Sequence, residues 1–126
     1  MRIGTVYKRP SKNAKRFFDG VDTEKADFSF FCGSCQRPIE VDLWDFLSRA
    51  SDWEEKLSPE VVQTIKREIE FPTVLEFTKS HEGGQPYLAI NACPHCSHSH
   101  LVYIGFYEFQ PARYVGTLQG VYEVIT

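Results

Sequence analysis

The residues best suited to chemistry are four cysteines, which occur as two Cys-x-x-Cys pairs. Cys32 and Cys35 belong to the stretch FCGSC, and Cys93 and Cys96 belong to the stretch ACPHCSHSH. Two thiolates spaced in this way on a tight turn point in the same direction and can bind one metal ion from one side. A second turn of this kind completes the tetrahedral shell that Zn²⁺ prefers. The sequence therefore predicts one Zn²⁺ site built from all four cysteines.

The two cysteine turns resemble those of zinc-ribbon and related zinc-knuckle proteins. CGSC and CPHC each follow a strand-like stretch, and Pro94 stands where many such knuckles have a proline. The resemblance covers the ligand turns and adjoining strands, about a third of the chain, and implies a structural Zn²⁺. Two features depart from the pattern. The chain has 57 residues between Cys35 and Cys93, against about 15–20 in a compact ribbon. Gln36 and Ser97 follow the two pairs in place of glycine.

Other uses of the cysteines stay open at this point. CGSC alone could form a redox pair, but a thioredoxin-like site needs a βαβ setting that this sequence does not predict. Cys93 and Cys96 could bind zinc with His98 or His100 and leave one position for a catalytic water. The thiols could also be simply buried. Disulfides are disfavoured, because thiols stay reduced in a chain that lacks a secretory signal.

The remaining histidines and the absence of catalytic motifs favour a structural metal. We interpret His95 as facing solvent within its turn, and His98 and His100 as a solvent-exposed strand edge whose side chains share one face. The sequence contains no His-Glu-x-x-His, no His-x-Glu, no phosphate-binding glycine loop and no Gly-x-Ser-x-Gly. We therefore expect a protein that is not an enzyme.

Length and composition are those of one soluble domain. The 126 residues are 42% hydrophobic and 25% charged, which is ordinary for a globular chain. No stretch approaches the roughly 20 apolar residues that a membrane helix needs, and the N-terminus lacks the apolar stretch of a secretory signal. We expect a single zinc-binding domain over residues 1–126, located in the cytoplasm, with no membrane partner.

The elements that must position the cysteines predict an α+β fold. We expect a curved antiparallel sheet with a zinc-ribbon-like four-cysteine site, and two helices inserted between the cysteine pairs within a helical insertion over residues 39–71. Asp42 is the expected cap of a helix over 41–50, and Ser58 and Pro59 begin a second helix. Aromatic and alternating patterns predict strands at 1–7, 28–31, 100–109 and 113–125, a hairpin from 73–79 and 85–92, and a polar loop over 8–27.

An uneven charge distribution suggests the first functional hypothesis. The net charge is −3, yet residues 1–16 hold six basic side chains and no acidic one, while residues 40–55 are the most acidic part. We expect the acidic part to bind a basic protein partner, a toxin or nuclease domain that this chain would neutralise as an immunity or inhibitor protein. Carboxylates would mimic phosphates, and tryptophan would anchor the interface. The candidate partner-binding residues are Glu40, Asp42, Asp45, Trp53, Glu54 and Glu55.

The second hypothesis is nucleic-acid binding, a function that zinc ribbons commonly have. It depends on a basic N-terminal arm over residues 1–18, in which two phenylalanines follow the cations and offer rings for base stacking. The negative net charge argues against a general phosphate binder. The candidate nucleic-acid-binding residues are Lys8, Arg9, Lys12, Lys15 and Arg16.

Overall fold

Two long strands near the C-terminus form the centre of the main sheet. The computed structural model describes residues 2–8, 15–50, 54–55, 57–72 and 85–125. Within these ranges the chain is mostly antiparallel sheet with two helices, an α+β arrangement. The elements are β1 (Arg2–Lys8), β2 (Lys15–Val21), β3 (Asp27–Phe31), β4 (Pro38–Asp42), α1 (Leu43–Ala50), α2 (Pro59–Glu68), β5 (Gln85–Ala92), β6 (Ser99–Gln110) and β7 (Arg113–Ile125).

The main sheet has the order β1-β7-β6-β5 and is not closed. One edge of β7 pairs with β6, and its other edge is shared, because β1 pairs with residues 120–125 and β2 with residues 113–118. At the junction β7 contributes one extra residue, Gln119, where the register shifts against Tyr103 and Ile104. Such a bulge bends and twists the strand that carries it. The sheet is therefore antiparallel, as expected, and irregular at this junction.

The strands β3 and β4 form a separate two-stranded sheet. Buried and exposed residues alternate along both strands, so that Phe28, Phe30, Ile39 and Val41 face inward. This period of two is the pattern of a hairpin that covers a core with one face and meets solvent with the other. The β3–β4 hairpin thus forms a layer on top of the main sheet.

The main sheet packs against a different partner on each face. Along β6, Val102 and Ile104 belong to a core shared with the β3–β4 hairpin and α1. Leu101 and Tyr103, which point to the other face, belong to a second core that contains the apolar side of α2. Successive residues of a strand point to opposite faces, so the five-stranded sheet is the middle layer between the hairpin with α1 and the helix α2.

The structure confirms some predicted elements and corrects others. The strands at residues 28–31, 100–109 and 113–125 are present, and Ser58 accepts a hydrogen bond from the Val61 N–H at 3.3 Å as the cap of α2. The polar loop expected over 8–27 is wrong for residues 15–21, which form β2. The helix expected from residue 41 begins at Leu43, because residues 38–42 form β4. The first strand of the 73–79 and 85–92 hairpin lies outside the described residues.

The described helices also bear on the membrane question. Neither is long and apolar enough to cross a bilayer. The expectation of a cytoplasmic location stays a prediction.

Candidate metal centre

Each cysteine pair lies on the turn of a β-hairpin. The first turn connects β3 to β4, where the Cys32 N–H donates to the Arg37 carbonyl at 2.9 Å and the Gln36 N–H donates to the Cys32 carbonyl at 3.1 Å. The second turn connects β5 to β6 and has the same pattern. The Cys93 N–H donates to the His98 carbonyl at 2.9 Å, and the Ser97 N–H donates to the Cys93 carbonyl at 2.8 Å. The two turns therefore present their cysteines on equivalent backbone frameworks.

The residues after each pair replace glycine in conformation as well as in position. Gln36 and Ser97 both have a φ of 64°, in the left-handed region that favours glycine. Gln36 and Ser97 therefore adopt the conformation that glycine would adopt, at a cost in backbone free energy to each turn. The Gln36 side chain recovers part of that cost by donating a hydrogen bond to the Gly33 carbonyl at 3.4 Å.

The four sulfur atoms converge on one point. All of them lie within 4.8 Å of one another, with 3.5 Å between the Sγ atoms of Cys32 and Cys96 and 3.7 Å between those of Cys35 and Cys93. A tetrahedral Zn²⁺ with Zn–S bonds of about 2.3 Å separates its sulfur ligands by about 3.8 Å. The donor set and its spacing therefore fit a metal ion such as zinc, and the predicted ligands are brought together across a gap of 57 residues.

The protonation of the thiols also suits a cation. Burial raises the pKa of Cys32, but hydrogen bonds from the Cys35 and Ser34 N–H groups and from neighbouring thiols outweigh it and lower the pKa to about 6. At Cys96 the His98 N–H lowers the pKa, whereas burial and the surrounding cysteines raise it to about 11 overall. The Cys32 thiol therefore loses its proton readily, whereas the Cys96 thiol does not. Several thiolates at this spacing repel one another. A divalent cation bound between them would offset this repulsion, and its binding would displace the remaining thiol protons.

The imidazole of His100 in β6 links the first cysteine turn to β5. Its Nε2 accepts the Gly33 N–H at 3.2 Å, and its Nδ1 lies 3.4 Å from the Asn91 carbonyl, which an Nδ1–H can reach as donor. The side chain is fully buried and its ring packs on Phe30. Burial lowers the pKa of His100, which favours the neutral imidazole that this arrangement requires. The interpretation of His100 as a solvent-exposed edge is therefore wrong, because the β3–β4 hairpin covers this face of β6.

A glutamate of β7 completes the surroundings of the first turn. The Glu123 carboxylate lies 3.1 Å from the His98 Nε2, and a Cβ at position 33 would collide with the same carboxylate. A side chain at residue 33 would therefore displace the Glu123 carboxylate from this position. His98 and His100 do share one face, with ring centroids 5.1 Å apart. His95 is exposed and accepts a hydrogen bond from Arg37 at 3.4 Å. Sequence reasoning missed Glu123, which carries no local motif.

The geometry also bears on the competing uses of the cysteines. In the part of the chain that the structure describes, the metal-ligating group contains the four cysteines and no histidine. The His98 and His100 nitrogens are instead engaged by Glu123 and Gly33. The CGSC turn lies in an antiparallel hairpin, not in the βαβ unit of a thioredoxin-like site. The four-cysteine arrangement is thus the one that the structure assembles.

The described candidate partner-binding residues are distributed over several parts of the chain. Glu40 and Asp42 lie on the exposed face of β4, and Asp45 of α1 pairs with Arg49 at 3.0 Å. Glu54 pairs at 2.7 Å with Lys66 of α2, which lies on the opposite side of the main sheet. Glu55 is exposed, and Trp53 lies outside the described residues.

Three of the candidate nucleic-acid-binding residues, Lys8, Lys15 and Arg16, lie where β1 and β2 meet along β7. Lys8 is opposite Gly120 and Lys15 is opposite Leu118, so both ends of the segment between them meet the same part of β7. Arg16 lies in β2 and is 4.0 Å from Asp19. Arg9 and Lys12 lie outside the described residues.

Comparison with protein-family models, with curated proteins and with solved structures found no match to this chain. The function is therefore inferred from the residues and their geometry alone.

Proposed function

We propose that this chain is a non-enzymatic protein in which a structural Zn²⁺, bound by Cys32, Cys35, Cys93 and Cys96, joins two β-hairpins. The convergence of four sulfur atoms within 4.8 Å supports this function most directly. Four thiolates fill the tetrahedral shell of the ion, whereas a catalytic zinc keeps one position for water or substrate. The zinc-ribbon resemblance of the two turns agrees with this role.

The free energy of zinc binding is large enough for a structural role. A structural zinc contributes an apparent ~10–16 kcal/mol of coupled folding free energy in small peptides. A domain of this size has a net stability of about 5–15 kcal/mol. Loss of the ion is therefore enough to release the β3–β4 hairpin from the main sheet.

Elemental analysis and native mass spectrometry of the purified full chain test the zinc site. We expect a single zinc ion per chain, lost on substitution Cys35→Ser and retained in the matched control Ser34→Ala, whose side chain is exposed on the same turn. A fully folded protein that contains no metal after purification without chelators would contradict the proposal.

We propose further that the zinc-stabilised surface binds a protein partner, with a toxin-neutralising role as the specific case. Small size, net negative charge and the absence of catalytic motifs in the sequence support this function. The exposed carboxylates of Glu40 and Asp42 on β4 offer charge complementarity to a basic domain. Electrostatic steering of this kind accelerates association of oppositely charged proteins.

Genetic neighbourhood provides the test of the toxin-neutralising role. We expect an adjacent gene that encodes a basic, growth-inhibiting domain, and we expect coexpression of this chain to restore growth and to yield a stable complex. Growth that is not restored, together with the absence of a complex between the two purified proteins, would rule out this partner.

Nucleic-acid binding is the second candidate, since the backbone positions of Lys8, Lys15 and Arg16 lie opposite one short part of β7, residues 117–120. It predicts affinity for single-stranded oligonucleotides that falls steeply between low and moderate salt. Neutralising Lys8, Arg9, Lys12 and Lys15 together should abolish that affinity and leave the zinc content unchanged. Binding that persists in this variant would exclude the basic residues as the contact.

A further inference from the structure

An exposed aromatic side chain marks a groove beside the first cysteine turn. Phe31 ends β3 and is 63% exposed, which sets it apart from the other large apolar side chains that the structure describes. It lines a cavity of about 280 Å³ between β1 and the β3–β4 hairpin, together with Val6, Tyr7 and Leu118. A single exposed aromatic residue is ordinary on a protein surface, but here Phe31 adjoins the apolar lining of the cavity and extends its apolar surface.

Two further cavities extend this one in both directions along β3. Val6 and Phe31 also line a cavity of about 390 Å³ that reaches Gly33 and Glu123 at the cysteine turn. Ser29 also lines a cavity of about 240 Å³ that reaches the other end of the hairpin. Neighbouring cavities share lining residues, and we call the surface that the three line together the β3 groove.

Charge is distributed along the β3 groove with one sign. Glu123, which also contacts the His98 Nε2, lies at the end near the cysteine turn. Glu40 and Asp27 lie at the other end, where Asp27 also pairs with the exposed Lys25 at 3.3 Å. The centre is apolar, and no lysine or arginine lines the groove among the described residues. The groove therefore offers an apolar centre between two acidic ends.

We propose that the β3 groove binds an extended segment of a partner protein, in which a large apolar residue is flanked on both sides by lysine or arginine. This proposal rests on the protein-binding function above and specifies its contact. The apolar residue would lie against Phe31, and the basic residues would meet Glu123 at one end and Asp27 and Glu40 at the other. At about 3.3 Å per extended residue, the path from Asp27 to Gly33 takes roughly six residues of the segment.

Other occupants fit the groove less well. Phosphates would be repelled by carboxylates at both ends, which disfavours nucleic acid. The chain's own segment 9–14 (RPSKNA) is basic and follows Tyr7 closely, but it has no large apolar residue for the centre of the groove. The charge pattern and the apolar centre together therefore favour a segment from another protein.

Selection from random peptides tests the proposal without knowledge of the partner. The zinc-loaded full chain is panned against phage-displayed peptides of about nine residues, longer than the groove requires. We expect enrichment of sequences with a large apolar residue between basic residues. Selection of acidic or purely apolar peptides, or no enrichment at all, overturns the proposal. Fluorescence anisotropy then measures the affinity of the best peptide for variants of the chain.

Matched variants locate the binding. Phe31→Ser should weaken the peptide about tenfold or more, as truncation of an anchoring aromatic residue does. Glu40→Lys should weaken it similarly, whereas Glu68→Lys, the same charge change on α2, should leave the affinity within about twofold, because long-range charge effects are screened by salt. Equal affinity of the wild type and the Phe31→Ser variant overturns the groove assignment.

The remaining outcomes assign the groove to other occupants and likewise overturn the proposal. Peptide binding that appears only after Arg9→Ser and Lys12→Ser shows that the chain's own segment fills the groove. A dimer that Phe31→Ser dissociates assigns the groove to a second copy, and displacement of the peptide by oligothymidine assigns it to nucleic acid. A protein partner that still binds the Phe31→Ser variant leaves the proposed function intact and refutes only the groove.

Discussion

At the scale of single residues, His100 connects the metal centre to the rest of the fold. Its ring accepts the Gly33 N–H and faces the Asn91 carbonyl, so one side chain joins the first cysteine turn to the β5–β6 hairpin. We expect His100→Phe to lower the free energy of unfolding of the zinc-loaded protein by about 1–3 kcal/mol, because the Gly33 N–H loses its acceptor. Denaturant titration measures the change.

The exposed His95 provides the control for this substitution. His95→Phe removes only its contact with Arg37 and should change the free energy of unfolding by less than about 0.5 kcal/mol, as exposed positions usually do. Equal losses in the two variants would mean that the hydrogen bond to Gly33 is not the cause.

Backbone conformation at Gln36 and Ser97 gives a second prediction at this scale. Both residues have a φ of 64°, so Ser97→Gly should raise the free energy of unfolding by about 0.5–1 kcal/mol, since glycine adopts this region without a Cβ penalty. Gln36→Gly should raise it by less, because this substitution also removes the hydrogen bond to the Gly33 carbonyl. Ser97→Val should lower it. Thermal unfolding of the zinc-loaded variants gives the values.

Ala112 is the matched control because it has a φ of 62° in the turn between β6 and β7, away from the cysteines. Ala112→Gly should give a similar gain in stability. Zinc affinity, measured by competition with a chelator, should rise with the two substitutions beside the cysteines and stay unchanged with Ala112→Gly. No gain at any of the three positions would contradict the argument from backbone strain.

At the scale of elements, the arginine of α1 attaches this helix to β5. Arg49 donates to the Ile90 carbonyl at 2.9 Å and to the Asn91 Oδ1 at 2.8 Å, and also pairs with Asp45. Arg49→Ala should lower the free energy of unfolding by about 1–3 kcal/mol, because the buried amide of Asn91 loses a partner. Denaturant titration of the zinc-loaded variant measures the loss.

Asp45→Ala separates this attachment from the ion pair. The exposed pair contributes only about 0–1 kcal/mol, so the variant should remain nearly as stable as the wild type. A loss as large as that of Arg49→Ala would show that the salt bridge, not the contact with β5, holds the helix.

The elements also show what local sequence determines. The helix α2 and the long strands β6 and β7 were predictable because the apolar pattern of each extends over ten or more residues. The strands β2 and β4 were missed, since the five to seven residues of each are rich in charge and adjoin turns. The position of His100 was missed for another reason. The alternation of β6 places it on one face, but only tertiary packing decides that the β3–β4 hairpin covers that face.

At the scale of the whole molecule, three layers are held together by different means. The helix α2 packs on the main sheet through a core that includes Ile65, Leu101 and Tyr122. The β3–β4 hairpin pairs its strands only with each other among the described elements, and joins the main sheet through apolar packing, His100 and the four cysteines. A metal ion bound by the four cysteines would therefore stabilise one side of the sheet directly and the other side only through the sheet.

This asymmetry predicts how the protein responds to removal of zinc. After chelation, we expect amide hydrogen exchange to accelerate more in residues 27–42 than in α2 and the strands beneath it, because the hairpin loses its strongest attachment. Mass spectrometry of deuterium uptake measures each segment, and restored zinc should return protection to residues 27–42. The Cys35→Ser variant should show the same pattern without chelator, whereas Ser34→Ala should match the wild type. A uniform acceleration across residues 27–42, 59–68 and 99–125 would instead mean that the ion supports all three layers equally.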